Sequence, residues 1–253
     1  LIELVNQERA AAGFPPLKAI DNLSSASRYH ANDMFADVYF NHDSKVRAFA
    51  EQHFGLARGK KNVLMLQADW GLGLGIIING KLYTGKSGFS GEFGHLPIAD
   101  NGVLCSCGKQ GCLETIVSAT AIARIAREGI KKGQSSLITE LVDGDTSKID
   151  ITIVIQAANM GDQFAISLLT DTGYWLGRGI AYLIQIFNPE LIIIGGRVAE
   201  ASRYILAPIQ QAITIFSNRD LSSDTEIKFS ELGSKAGTMG IAAYALEKIL
   251  LSK

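Results

Sequence analysis

Residues 91–115 read Gly-Glu-Phe-Gly-His-Leu-Pro-Ile-Ala-Asp-Asn-Gly-Val-Leu-Cys-Ser-Cys-Gly-Lys-Gln-Gly-Cys-Leu-Glu-Thr. All three cysteines of the chain fall in this stretch, at Cys105, Cys107 and Cys112, and His95 precedes them, giving the spacing H-x9-C-x-C-x4-C. Cys3His is a common tetrahedral donor set for structural zinc, and four protein ligands leave no open position for a substrate water. Gly102, Gly108 and Gly111 supply the backbone freedom of a tight metal-binding knuckle. The alternative is a chance cluster of buried or redox-active cysteines. An odd number of cysteines, none of them elsewhere, argues instead for a reduced, cytoplasmic protein whose thiols bind metal.

Two carboxylates flank the ligands. Glu92 lies three residues before His95, and Glu114 two after Cys112. A metal that fixes the loop also fixes them, and paired carboxylates suit hydrogen bonding to the vicinal hydroxyls of a sugar. Solvated loop glutamates are the plainer reading.

Outward from the loop, the chain reads as α/β. Upstream, LIELVNQERAAAG is expected as a short helix and DVYFNHD (37–43) as a strand. SKVRAFAEQHFG (44–55) follows as a helix and NVLMLQADW (62–70) as a buried strand. GLGLG (71–75) is expected as a turn that could approach a phosphate, although it opens a hairpin and not a helix. IIINGKLYTG (76–85) is a hairpin turning at Asn79-Gly80. Residues 14–30 fit no element cleanly, and a break in the sequence is expected near Ile20–Asp21. Downstream of Ser118 come the helices TAIARIAREGIKKG and GDQFAISLLTDTGYWLGRGIAYLIQIF and the strand NPELIIIGG. The helix YILAPIQQAITIFS, the strand TEIKFSEL and a closing helix from Ala236 follow. Strands alternating with helices predict a parallel or mixed sheet. A boundary is expected between 1–117, an N-terminal lobe with the metal loop, and 118–253, a helical α/β lobe.

Asp43 ends an expected strand, where open α/β sheets place ligands, so it is a candidate contact or base. It could equally cap the helix that follows. Gly195-Gly196, after a strand, permits close approach of a ligand, though packing alone would explain it.

A chain of 253 residues with 47% hydrophobic and 19% charged residues can bury a sizeable core. Its net charge of −1 gives no chain-wide attraction to nucleic acid or to an acidic membrane. No apolar run approaches the roughly 18 residues of a membrane span, and the first residues do not resemble a signal peptide.

The segment E-x-G-H followed by C-x-C-G-x-x-G-C-x-E resembles the signature of the ROK family (repressors, open reading frames and sugar kinases). HDSKVRAFAE, WGLGLGIIINGKLYTGKSGFSGEFGH, NPELIIIGG and AGTMGIAA extend the likeness over about residues 35–245. The resemblance implies an actin-like, ribonuclease H-like two-lobed fold with an interlobe sugar cleft and a structural zinc loop. His95, Cys105, Cys107 and Cys112 would hold the zinc, and Asp43, Glu92, His95 and Glu114 would contact sugar hydroxyls. In a kinase of the family, Asp43 would be the general base, and ATP and Mg2+ the co-substrate.

Three departures point away from a kinase. No D-x-G-G-T phosphate loop is present. Gly71-Leu72-Gly73-Leu74-Gly75 stands for G-T-G-x-G and lacks the Thr hydroxyl. His42-Asp43 replaces Asn-Asp, as in regulators of the N-acetylglucosamine/xylose type. The expected function is therefore the sugar-sensing body of a repressor or regulator, with a sugar or sugar phosphate as ligand. Operator DNA would be read by an N-terminal helix-turn-helix not visible in this chain. The segment 1–34 is too short for that domain plus the phosphate-loop hairpin, so the N-terminal part is expected to be incomplete. The apolar helix 162–187 suggests a homodimer or tetramer.

Overall fold

The computed structural model describes residues 43–251, and side chains up to Tyr244. The expected helix at 1–13, the strand at 37–43, the discontinuity near 20–21 and the shortness of segment 1–34 lie outside the described residues, apart from Asp43 itself.

Among the described residues, five strands form one mixed sheet: β1 (Val63–Ala68), β2 (Leu72–Ile78), β3 (Lys81–Tyr83), β4 (Leu191–Gly195) and β5 (Glu226–Phe229), in the order β3-β2-β1-β4-β5. β1 pairs antiparallel with β2 through Ala68↔Leu72, and β2 with β3 around a turn at Asn79-Gly80, where both residues have positive φ. Asn79 and Gly80 are the residue types that tolerate that backbone. β4 pairs parallel with both β1 and β5, so three strands end together at one edge of the molecule.

Both faces of the sheet are covered, and the side chains alternate accordingly. Leu64, Leu66, Ala68, Ile192 and Ile194 belong to a large apolar cluster with Leu113, Val117, Ile122, Leu176, Ile180 and Ile209. Val63, Met65, Ile77, Leu191 and Ile193 point the other way, onto Ala48. This explains why LIII and VLML read as unbroken apolar runs. Among the described residues, the large cluster and the sheet draw on chain from both sides of residues 117/118.

On one face lie α1 (Asp43–Phe54) and, packed against it, α9 (Ala236–Leu251). They approach closely because glycine allows it: a Cβ on Gly240 would sit 2.1 Å from the Val46 carbonyl oxygen. The other face carries α2 (Glu114–Val117), α3 (Ala119–Lys131), α4 (Ile138–Leu141), α5 (Ile151–Asn159), α6 (Gln163–Phe187) and α7 (Ser202–Phe216). The one-turn α8 (Arg219–Ser222) joins α7 to β5. Asp162 caps α6 by accepting from Ala165 N, and Asn188 ends it in the left-handed conformation. Gly173 and Gly177 let α7 lie directly on α6, since a Cβ at Gly177 would meet the Ile209 carbonyl oxygen at 2.5 Å.

The structure corrects the reading of GLGLG. The turn is Asp69–Gly71, and Leu72 through Gly75 are already in β2. A Cβ on Gly73 would sit 2.8 Å from the Ser44 Cβ, and one on Gly75 only 2.6 Å from the Ser44 carbonyl oxygen. These glycines let α1 lie on the sheet. Gly195 and Gly196 also serve packing, as a Cβ on Gly196 would meet the Ala68 carbonyl oxygen at 2.2 Å. No helix among the described residues is long and apolar enough to cross a membrane.

Candidate functional site: a Cys3His knuckle beside a carboxylate cluster

The knuckle is built by short-range backbone bonds. Phe93–His95 forms one 3-10 turn, which presents the imidazole. Cys105 N donates to the Lys109 carbonyl at 2.8 Å and Gly108 N to the Cys105 carbonyl at 2.9 Å, closing a turn that needs the positive φ of Gly108. Leu113 N donates to the Leu96 carbonyl at 2.9 Å, holding Cys112 opposite Pro97. Gly111 has positive φ and no room for a Cβ, which would lie 1.9 Å from the Ala99 carbonyl oxygen.

One donor atom from each of His95, Cys105, Cys107 and Cys112 falls within a span of 4.8 Å. Tetrahedral zinc, with bonds of about 2.3 Å to sulfur and about 2.0 Å to nitrogen, requires edges of roughly 3.8 Å and 3.5 Å. Cys107 Sγ lies 3.6 Å from Cys112 Sγ, and Cys105 Sγ lies 3.5 Å from His95 Nδ1. The donor set fits zinc.

The environment of the thiols bears on the charge they carry. Burial, then hydrogen bonding with Cys107 and Cys105, pushes the Cys112 thiol up to about 12. A backbone N–H at Lys109 is the main influence holding Cys107 below the ordinary thiol value. A divalent cation stabilises all three thiolates at once. With Nδ1 turned to the sulfurs, His95 Nε2 lies 3.7 Å from a Glu92 oxygen, the orientation in which a carboxylate steers a metal-bound imidazole.

Glu114, on the first residue of α2, accepts from Leu72 N at 2.9 Å, which ties the knuckle to the β1–β2 turn. Gly73, next in β2, lies against Ser44, beside Asp43 at the start of α1. Lys45, one turn into that helix and fully buried, donates through Nζ to the Gly88 carbonyl in the loop leading to Glu92. Burial lowers the Lys45 pKa from the usual lysine range, and the Glu92 carboxylate opposes that shift. These links tie Asp43, Glu92 and Glu114 to the amino end of α1 and the start of β2.

Several polar residues here escaped the sequence reading. Arg47 donates through Nε to Asp43 at 2.8 Å and is itself buried. Asp69, which ends β1, accepts from Arg197 Nε at 2.6 Å, and that guanidinium lies 4.2 Å from the ring of the exposed Trp70. Lys45 and Arg47 sit inside an amphipathic-looking helix, where charged residues ordinarily read as solvated. Only the contacts of α1 with the sheet and α9 show them buried.

Fold and site together define an α/β protein with a zinc-type knuckle beside a polar cluster at the helix-bearing face of a mixed sheet. The ROK family profile matches residues 18–248, and the chain belongs to that family. It is 36% identical over 212 residues to a glucokinase of Thermotoga maritima, covering 84% of this chain and 67% of that protein. It is 33% identical over 210 residues to the DNA-binding transcriptional dual regulator NagC of Escherichia coli K12, covering 83% of this chain and 50% of the regulator. A ROK-family glucokinase of Streptomyces griseus, solved with glucose and AMPPNP, superposes with a TM-score of 0.74 at 32% identity, over 80% of this chain and 66% of the other. The chain thus spans between half and about two thirds of the length of the curated relatives it matches.

Proposed function

We propose that this chain is the sugar-sensing body of a ROK-family transcriptional regulator. Asp43, Glu92, His95 and Glu114 would hydrogen-bond the hydroxyls of a sugar or sugar phosphate. Zinc, held by His95, Cys105, Cys107 and Cys112, would supply a rigid anchor for Glu92 and Glu114. Sugar binding would shift the population between two arrangements of the sugar-binding lobes, and so the spacing of operator-reading domains in a homodimer or tetramer.

The observation that carries this reading is the charge at the carboxyl ends of β1, β4 and β5. A nucleoside triphosphate brings several negative charges and needs converging positive groups or free N–H donors. There, Asp69 occupies Arg197 at 2.6 Å and Asp43 occupies Arg47 at 2.8 Å. Glu200 adds a further carboxylate to the same pocket. The two cations are thus matched by carboxylates. Leu72 carries no weight against a nucleotide, because its side chain is buried in β2 and its N–H serves Glu114.

The second reading is an ATP- and Mg2+-dependent hexose kinase with Asp43 as general base, which the 36% identity to a glucokinase favours. Calorimetric titration with a hexose panel, followed by ADP release with the same sugars and ATP, separates the two. Saturable sugar binding without turnover is expected, with Asp43→Ala weakening affinity at least tenfold. Turnover well above background would overturn the regulator reading.

A further inference from the structure

We infer a second small-molecule site, for a small hydroxycarboxylate, in the pocket at the carboxyl ends of β1, β4 and β5. Four buried side-chain polar atoms among the described residues have no hydrogen-bond partner. Three of them line this one pocket: Gln67 Nε2, Gln67 Oε1 and Arg197 Nη2. Gln67 is only 5% exposed, so its carboxamide is largely withdrawn from bulk solvent. Leaving a buried donor or acceptor unpaired forfeits the hydrogen bond it would make to water. A ligand that pairs all three makes good that loss.

The orphan atoms specify the chemistry. Gln67 Nε2 and Arg197 Nη2 are donors and call for an acceptor such as a carboxylate. Gln67 Oε1 is an acceptor and calls for a hydroxyl. The amino end of α9 reaches the pocket at Ser234 and Ala236 and favours negative charge. The opposing limit is the wall itself, where Arg47 and Arg197 are balanced by Asp69 and Glu200. A delocalised single charge is accommodated, while a phosphate dianion or a polyphosphate meets no net positive charge. The cavity, of about 200 Å³, is smaller than the roughly 300–1,000 Å³ of drug-sized sites, which limits the ligand to a small acyclic acid no larger than gluconate. Met65 supplies apolar lining, and Gly195 and Gly196 leave the wall free of side chains.

The probe is gluconate, titrated into the full chain by calorimetry, with glycerate as the shorter homologue. Glucose, glucose 6-phosphate and ATP are run in parallel. Gluconate is expected to bind saturably, at least tenfold tighter than ATP or glucose 6-phosphate at this pocket. Gln67→Leu, which removes both orphan atoms, should weaken gluconate at least tenfold while leaving hexose affinity unchanged. Gln67→Glu, closer in shape, should do the same by repelling the carboxylate, and it keeps the test open if the leucine variant folds poorly. No gluconate binding overturns the inference. So does gluconate affinity unaffected by either variant, or complete competition between gluconate and hexose. Hexose binding to the unmodified chain reports separately on the sugar-sensing reading.

Discussion

Gly75→Ala tests whether the glycines of β2 serve helix packing, on which the position of Asp43 depends. The new methyl would lie 2.4 Å from the Ala48 Cβ and 2.6 Å from the Ser44 carbonyl oxygen. Ordinary contact begins at 3.4 Å, so α1 must retreat from the sheet by about 1 Å to clear the Ala48 Cβ. The obstacle is backbone on a helix also clamped by α9 at Gly240, so no side-chain rotation relieves it. Overpacking of this kind costs about 1–3 kcal/mol, of which the better strand propensity of alanine returns at most about 1 kcal/mol. At about 2–4 °C per kcal/mol for a chain of this size, the net loss corresponds to a fall in Tm of up to roughly 12 °C. The shift also moves Asp43 and Lys45 relative to Glu92, so sugar affinity should fall with stability. Differential scanning calorimetry and sugar titration on the purified variant read both effects. An unchanged or raised Tm with unchanged sugar affinity would refute the packing assignment and return these glycines to a ligand-binding role.

Purified protein should contain about one zinc per chain by elemental analysis, and Cys105→Ser should bring it near zero. Sugar binding by the metal-free variant as tight as that of the parent would remove the anchoring role of the knuckle. In metal-free protein, Cys112 is raised from 9.0 to about 12, so above pH 9 the unfolded chain gives up a proton that the folded chain retains. Stability of the metal-free form should therefore fall as pH rises from about 9 towards 12, as urea denaturation would show, while zinc affinity rises with pH because protons compete for the ligands. Glu114→Ala should cost about 1–3 kcal/mol through the loss of its charged acceptor to Leu72 N. It should also weaken sugar binding, measurable by calorimetry alongside thermal unfolding.

The amino-acid sequence by itself determined the metal knuckle, because its ligands all lie between His95 and Cys112 and backbone turns fix their spacing. It determined most helices and strands too, since apolar periodicity and the Asn79-Gly80 turn are local signals. Family membership followed from the same short segment. The tertiary structure decided what depends on contacts between distant residues. GLGLG was expected as a turn, and only the position of α1, a separate element earlier in the chain, shows that Gly73 and Gly75 are strand residues that let a helix lie close. Lys45 and Arg47 looked like surface charge until the sheet and α9 enclosed them. The pairing of Asp69 with Arg197 spans 128 positions and leaves no local pattern to read. Nor did Gln67 stand out within an apolar strand, because a buried carboxamide without a protein partner exists only once distant segments have folded around it.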